Sequence, residues 1–208
     1  AVVGSWLPYV ITNWFGVSNS SGDGQIPENL IVSFVIGALV LVGSILITVI
    51  TTKEYSPEEL SQFQGENVDT NEETGGIMTI FTDFKLMPDT MKQLSWVQFF
   101  SWFALFGMWV FFTPAIAHYV YDLDPNDSSS AMYNEAGDWV GILFGVYNLV
   151  SAFFAFSLPV IAKKIGRKRT HSISLIIGGI GFLSIYLVPN EYWLILSMVG
   201  VGIAWASI

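Results

Sequence analysis

Six stretches of the chain run for fifteen residues or more without a single Asp, Glu, Lys or Arg. Each is apolar along its length rather than at alternate positions. Blocks of this kind cannot face water, and their lengths match a bilayer: a helix crossing ~30 Å of hydrocarbon needs roughly 20 residues. Segment A is Ala1 to about Phe15, segment B about Leu30 to Thr52, and segment C about Leu94 to Tyr121. Segments D and E run from about Trp139 to Ala162 and from about Thr170 to Val188, and F begins near Tyr192. Inside lipid no water satisfies peptide groups, so each block must close its hydrogen bonds internally as a helix. The alternation of a lipid-facing barrel strand is missing. The expected fold class is therefore all-α, a polytopic membrane helical bundle. The chain opens without an initiator methionine and stops inside an apolar run, which predicts an internal piece of a longer membrane protein.

The charges orient these helices. All eight basic residues fall in two places: Lys53, Lys85 and Lys92 after segment B, and Lys163, Lys164, Arg167, Lys168 and Arg169 after segment D. If successive spans alternate in direction, both places lie on one face, as the positive-inside rule requires of cytoplasmic loops. Residues 53–95 and 163–169 are accordingly expected to be cytoplasmic, in a multi-pass protein of the plasma (inner) membrane. Tyr121, Trp139, Tyr192 and Trp193 stand at span ends, where amphipathic rings favour the interface. A net charge of −9 argues against nucleic acid as a partner. The absence of cysteine removes disulfides, thiolate metal sites and thiol nucleophiles. No metal or cofactor is expected.

The one long connection is 53–95. Ser56-Pro57-Glu58-Glu59 reads as a helix start, with an N-cap serine and proline at the first helical position. Gln64 to Gly76 is acidic and polar. Ile77, Ile80, Phe81 and Phe84 then recur at helical spacing and predict a short helix on the inner membrane surface; a plain tether is the alternative. A long inner loop between groups of spans is how two-halved transporters are joined.

Pro159-Val-Ile-Ala-Lys-Lys-Ile-Gly-Arg-Lys-Arg169 joins two long helices through a very short basic turn. Gly166 supplies the positive φ such a turn needs. Short inner loops are often basic, but the order Lys-x-Gly-Arg-Lys is more particular. It resembles the signature loop of the major facilitator superfamily, roughly Gly-x-x-x-Asp-Arg-x-Gly-Arg-Arg/Lys, which recurs in weaker form between the eighth and ninth helices. Lys164, Gly166, Arg167 and Lys168 match its second half, with Arg169 following. Lys163 stands at the Asp position and Pro159 at the first Gly. The resemblance implies about helices five to ten of twelve. Residues 1–52 would be the last two helices of the N-terminal bundle, 53–95 the cytoplasmic central linker, and 96–208 the first four helices of the C-terminal bundle. Trp96 to Trp109, followed by Phe-Phe-Thr-Pro114, resembles the seventh helix of the sucrose-transporter and glycoside–pentoside–hexuronide symporter group, although Pro114 stands where sucrose-type members tend to carry Asp.

On segment C, Gln98, Trp102, Trp109 and Thr113 are spaced to share one helix face. Phe100, Phe103, Val110 and Phe111 occupy the other and suit lipid. An amide, a hydroxyl and two indoles suit a sugar, whose hydroxyls bond to the amide and whose C–H face stacks on indole. The alternative is that Gln98 and Thr113 bond to a neighbouring helix. Segment D adds Tyr147 and Asn148; an amide near mid-span needs a partner, either solute or protein. His118 and His171 are boundary positions with no metal or catalytic reading. Small residues mark packing faces: Ser33, Gly37, Ser44 and Thr48 on B, Gly178, Gly179 and Gly181 on E, and Gly200 with Ala204 on F. No Asp or Glu falls inside the spans so delimited. A coupling carboxylate is therefore expected outside this stretch. The expected function is a sugar carrier, coupled to a proton or sodium ion, working by alternating access. A major facilitator carrier of another solute is the chief alternative, and a channel or receptor a lesser one. No mid-membrane His joins Ser, Asp or Glu as a membrane enzyme would need, so an enzyme is not expected.

Overall fold

A computed structural model describes residues 1–20, 25–53, 55, 77–124 and 130–208. The described residues are helical, with no strand among them. The helices are α1 (Val2–Phe15), α2 (Glu28–Thr51), α3 (Ile77–Leu86), α4 (Asp89–Tyr119), α5 (Ala131–Ile165), α6 (Arg167–Leu187) and α7 (Trp193–Ser207). Four of them, α2, α4, α5 and α6, are long and apolar enough to cross a membrane. The expected short helix after the acidic stretch is α3, with Ile80, Phe81 and Phe84 exposed. The candidate helix start at Ser56–Glu59 and the stretch Gln64–Gly76 lie outside the described residues.

Three helices begin earlier than the apolar blocks that announce them. Helix α4 starts at Asp89 rather than near Leu94, α5 at Ala131 rather than near Trp139, and α6 at Arg167 rather than near Thr170. For α5 the reason is local chemistry rather than hydropathy. At α5, Ser130 is the N-cap: its Oγ accepts from the Tyr133 backbone N–H at 3.2 Å, satisfying one of the first turn's free donors. Helix α5 is thus 35 residues, about 52 Å long, and carries Glu135 and Asp138 within it. Both precede Trp139, so segment D as delimited by hydropathy holds no carboxylate, and the helix is longer than the ~30 Å of hydrocarbon it would cross.

The chain divides into two compact units, residues 1–37 with 101–208, and residues 38–100. In the first unit, α5 packs against α1, α6 and α7, and α7 packs closely on α6. Leu105, Phe112 and Ile116 of α4 meet Leu143 and Tyr147 of α5 and Met198 of α7 in one buried cluster. In the second unit, α3 and the start of α4 are joined by Met87 and Pro88, and Trp96 stands edge-on to Phe99 at 6.4 Å.

Backbones approach one another where the small residues lie. A Cβ added to Gly181 would stand 2.6 Å from the Ser197 carbonyl oxygen, and one added to Gly200 would stand 2.9 Å from that of Ile177. Ser184 and Ser197 bridge the same α6–α7 seam, their hydroxyls 2.7 Å apart. On α5, a Cβ at Gly145 would fall inside the Trp6 indole, whose Nε1–H donates to the Ile142 carbonyl at 3.1 Å. Gly179, by contrast, has open space around it. Gly181→Ala should therefore lower the melting temperature in detergent, because backbone must move and overpacking costs about 1–3 kcal/mol. Gly179→Ala should leave it unchanged or slightly raised; a thermal-shift assay on both variants checks the contrast.

Candidate functional site

Trp102 and Trp109 are seven residues apart on α4, two turns along one face. Trp205 of α7 comes between them. The three indoles form a closed triangle of edge-to-face contacts, with centroids 6.1 Å (Trp102–Trp109), 6.0 Å (Trp102–Trp205) and 5.9 Å (Trp109–Trp205) apart. This is the arrangement that aromatic quadrupoles favour. Tyr147 of α5 joins at 6.4 Å from Trp205, and its hydroxyl accepts from Trp109 Nε1–H at 3.3 Å. Tyr147 is buried, whereas Trp102 and Trp109 keep 48% and 38% of their surface exposed. The cluster therefore has a fixed floor and two open rings. Chemically it offers flat apolar faces beside a phenol hydroxyl and an indole N–H.

Of the six residues expected to bind solute, Trp102, Trp109 and Tyr147 meet here. Thr113 points elsewhere, into the polar cavity described below. Asn148 donates to the Phe144 carbonyl of its own helix at 2.8 Å, so a protein group meets its demand for a partner. Gln98 belongs to the second unit, and its buried Oε1 has no hydrogen-bond partner among the described residues. Phe100, Phe103, Val110 and Phe111 are exposed. The Gly200–Ala204 spacing that marks segment F gives no sign of Trp205; the signal in the sequence is an indole within a charge-free span.

Next to the cluster lies a cavity of about 490 Å³ lined by Tyr9, Asn29, Thr113, Tyr133 and Asp138, among others. Asp138 is held by amides: Asn19 Nδ2 donates to its Oδ2 at 2.8 Å, and Asn29 Nδ2 to its Oδ1 at 3.5 Å. Asn29 Nδ2 also donates to Thr12 Oγ1 at 3.0 Å. A second cavity of about 550 Å³ shares Asp138 and is lined by Tyr121, Glu135 and Glu191 as well. Tyr121 donates to Glu191 Oε2 at 3.2 Å. Burial, then that bonded carboxylate, push the Tyr121 hydroxyl up to about 12, so it remains a donor at any physiological pH.

At the far end of α5 the basic turn is a single residue. Gly166, at φ 89°, separates Ile165 from Arg167. Lys164, Arg167, Lys168 and Arg169 are all exposed around it. Thr170 closes the turn by donating to the Gly166 carbonyl at 2.9 Å. His171 Nδ1 lies 3.0 Å from the Ser207 carbonyl, a bond between the α6 start and the α7 end.

Several long apolar helices, packed through small residues around an aromatic-lined face, define an integral, multi-pass membrane protein. A family model described as the Major Facilitator Superfamily matches residues 1–208, the whole sequence given, and the chain belongs to that superfamily of transporters. No curated protein and no solved structure matched it.

Tyr147→Phe removes the only acceptor seen for Trp109 Nε1–H among the described residues. It should cost about 1 kcal/mol, the net worth of one hydrogen bond, read as a modest fall in unfolding temperature. Asn148→Ala loses only a bond within its own helix and should cost less.

Proposed function

We propose that this chain forms the middle of a secondary carrier moving a sugar, a di- or oligosaccharide, by alternating access in symport with a proton or sodium ion. In this reading residues 1–52 end one half of the carrier, 53–95 link the halves on the cytoplasmic side, and 96–208 begin the second half. Membership of the major facilitator superfamily supports carrier chemistry. The observation that carries the sugar reading is the cluster of Trp102, Trp109, Trp205 and Tyr147. Two partly open indoles above a buried phenol suit the alternating C–H and hydroxyl surface of a pyranose. The lipid bilayer and the small-molecule sugar are then its partners, and the flat rings bind by stacking while the polar tips fix orientation.

Flux of labelled maltose or sucrose into vesicles containing the full-length protein tests the function. No flux of any sugar, with or without a cation gradient, rejects it. Within a working carrier, Trp109→Ala should weaken sugar binding roughly fivefold, about 1 kcal/mol for one lost aromatic contact. Phe103→Ala, at an exposed position, should not; equal effects would remove the site assignment.

The orientation is tested through the absence of native cysteine. Lys168 is in the first turn of α6, and Asn190 lies just beyond its other end. A lone Lys168→Cys should react with a membrane-impermeant maleimide only in opened cells, and a lone Asn190→Cys in intact ones.

A further inference from the structure

The polar cavity has a chemistry that the aromatic cluster lacks. Asp138 brings a carboxylate into it, and the groups that contact this carboxylate are neutral amides of Asn19 and Asn29. Residues 1–52 and 93–162, which supply nearly all of the surroundings, contain no Lys or Arg. The titratable groups facing Asp138 across the two cavities are Tyr9 of α1, Tyr133 and Glu135 of α5, Tyr121 after α4, and Glu191 and Tyr192 before α7. Among the described residues none of the lining is cationic.

Asn29 adds an independent observation. It lines the same cavity, is only 2% exposed, and its Oδ1 has no hydrogen-bond donor among the described residues. A buried acceptor without a donor is costly, and the half-buried Asp138 carboxylate has amide donors but no countercharge, which raises the cost of its charged form. Both deficits are of one sign. They are relieved together by a small cation that takes oxygen ligands, and a single carboxylate matches a single positive charge. The Thr12 hydroxyl, which accepts from Asn29, ties the site to α1.

We propose that Asp138, with Asn29 and Asn19, forms a binding site for a small monovalent cation, a sodium ion or a proton. Sodium would lie between the Asp138 carboxylate and the free Asn29 oxygen; a proton would add to a carboxylate oxygen, leaving the group neutral. Asp138 lies 27 residues before Ile165, the end of α5, hence about 40 Å along the axis from the basic turn. The ion would therefore load at the end opposite the cytoplasmic cations. Coupling of this ion to solute rests on the carrier reading, but its binding does not.

The test uses the full-length carrier purified in detergent, without sugar. Radiolabelled sodium is titrated at mildly alkaline pH against a choline background, and tryptophan emission, to which neighbouring Trp139 contributes, is followed against pH without sodium. Saturable sodium binding that falls about tenfold or more in Asp138→Asn, and persists in Glu135→Gln, assigns the site to sodium. An emission titration that vanishes in Asp138→Asn, with no sodium binding, assigns it to a proton. Absence of both signals, or either one unchanged in Asp138→Asn, overturns the proposal. If Asp138→Asn elutes as aggregate, Asn29→Ala decides: the carboxylate stays and one oxygen goes, so an unmoved sodium affinity and pH midpoint overturn it. Sugar flux is measured separately, so a carrier that moves sugar without binding the ion, or the reverse, tells the two proposals apart.

Discussion

Helices in lipid gain little by hiding apolar side chains from an equally apolar solvent, so this bundle is held by how closely its backbones approach. The α6–α7 seam depends on that condition. Gly178 faces Ala204, Gly181 faces the Ser197 carbonyl and Gly200 the Ile177 carbonyl, which brings main chain against main chain. On the other side of α7, Gly202 lies against the Tyr147 carbonyl of α5. Helix α7 is therefore clamped between α5 and α6, and with it the position of Trp205. The aromatic triangle follows from the glycines, since a larger residue at Gly200 or Gly202 would push the third indole out of register with the two on α4.

The two polar features of the first unit divide the chemistry between them. The aromatic cluster presents neutral, flat surfaces with two hydrogen-bonding tips, and its rigidity comes from Tyr147 being buried over Phe144 and Phe112. The cavity around Asp138 presents charge and free oxygen instead, supported by α1, the start of α2 and α5. Both are built on α5, and its residues Tyr147 and Asp138 are nine positions apart. Under the two proposals above, ion and solute would be held by the same helix.

Hydropathy and the distribution of cations made much of the architecture readable. The charge-free blocks each contain a helix, the basic turn contains its positive-φ glycine at Gly166, and Gly178 and Gly181 of E meet F at Ala204 and Ser197, whereas Gly179 faces open space. What stayed hidden lay at the margins of the blocks or between helices. Asp138 is one residue outside the apolar run that begins at Trp139. Hydropathy begins the span at Trp139 and leaves Asp138 out, whereas the helix itself begins at Ala131, capped by Ser130. Thr113 shares a helix face with Trp109 by periodicity, yet it lines the cavity around Asp138. A periodic stripe fixes direction on one helix but not which neighbour covers each turn. Asn148 looked as though it needed a partner across the bundle, and the i−4 carbonyl of its own helix was enough.

The closed triangle of Trp102, Trp109 and Trp205 has an optical consequence. Three indoles within about 6 Å of one another, each nearly perpendicular to the next, cannot absorb light as independent chromophores. Their transition dipoles couple, and a fixed handed arrangement gives that coupling a sign in circular dichroism. The bundle thus carries a built-in spectroscopic ruler, sensitive to any sliding of α7 against α4.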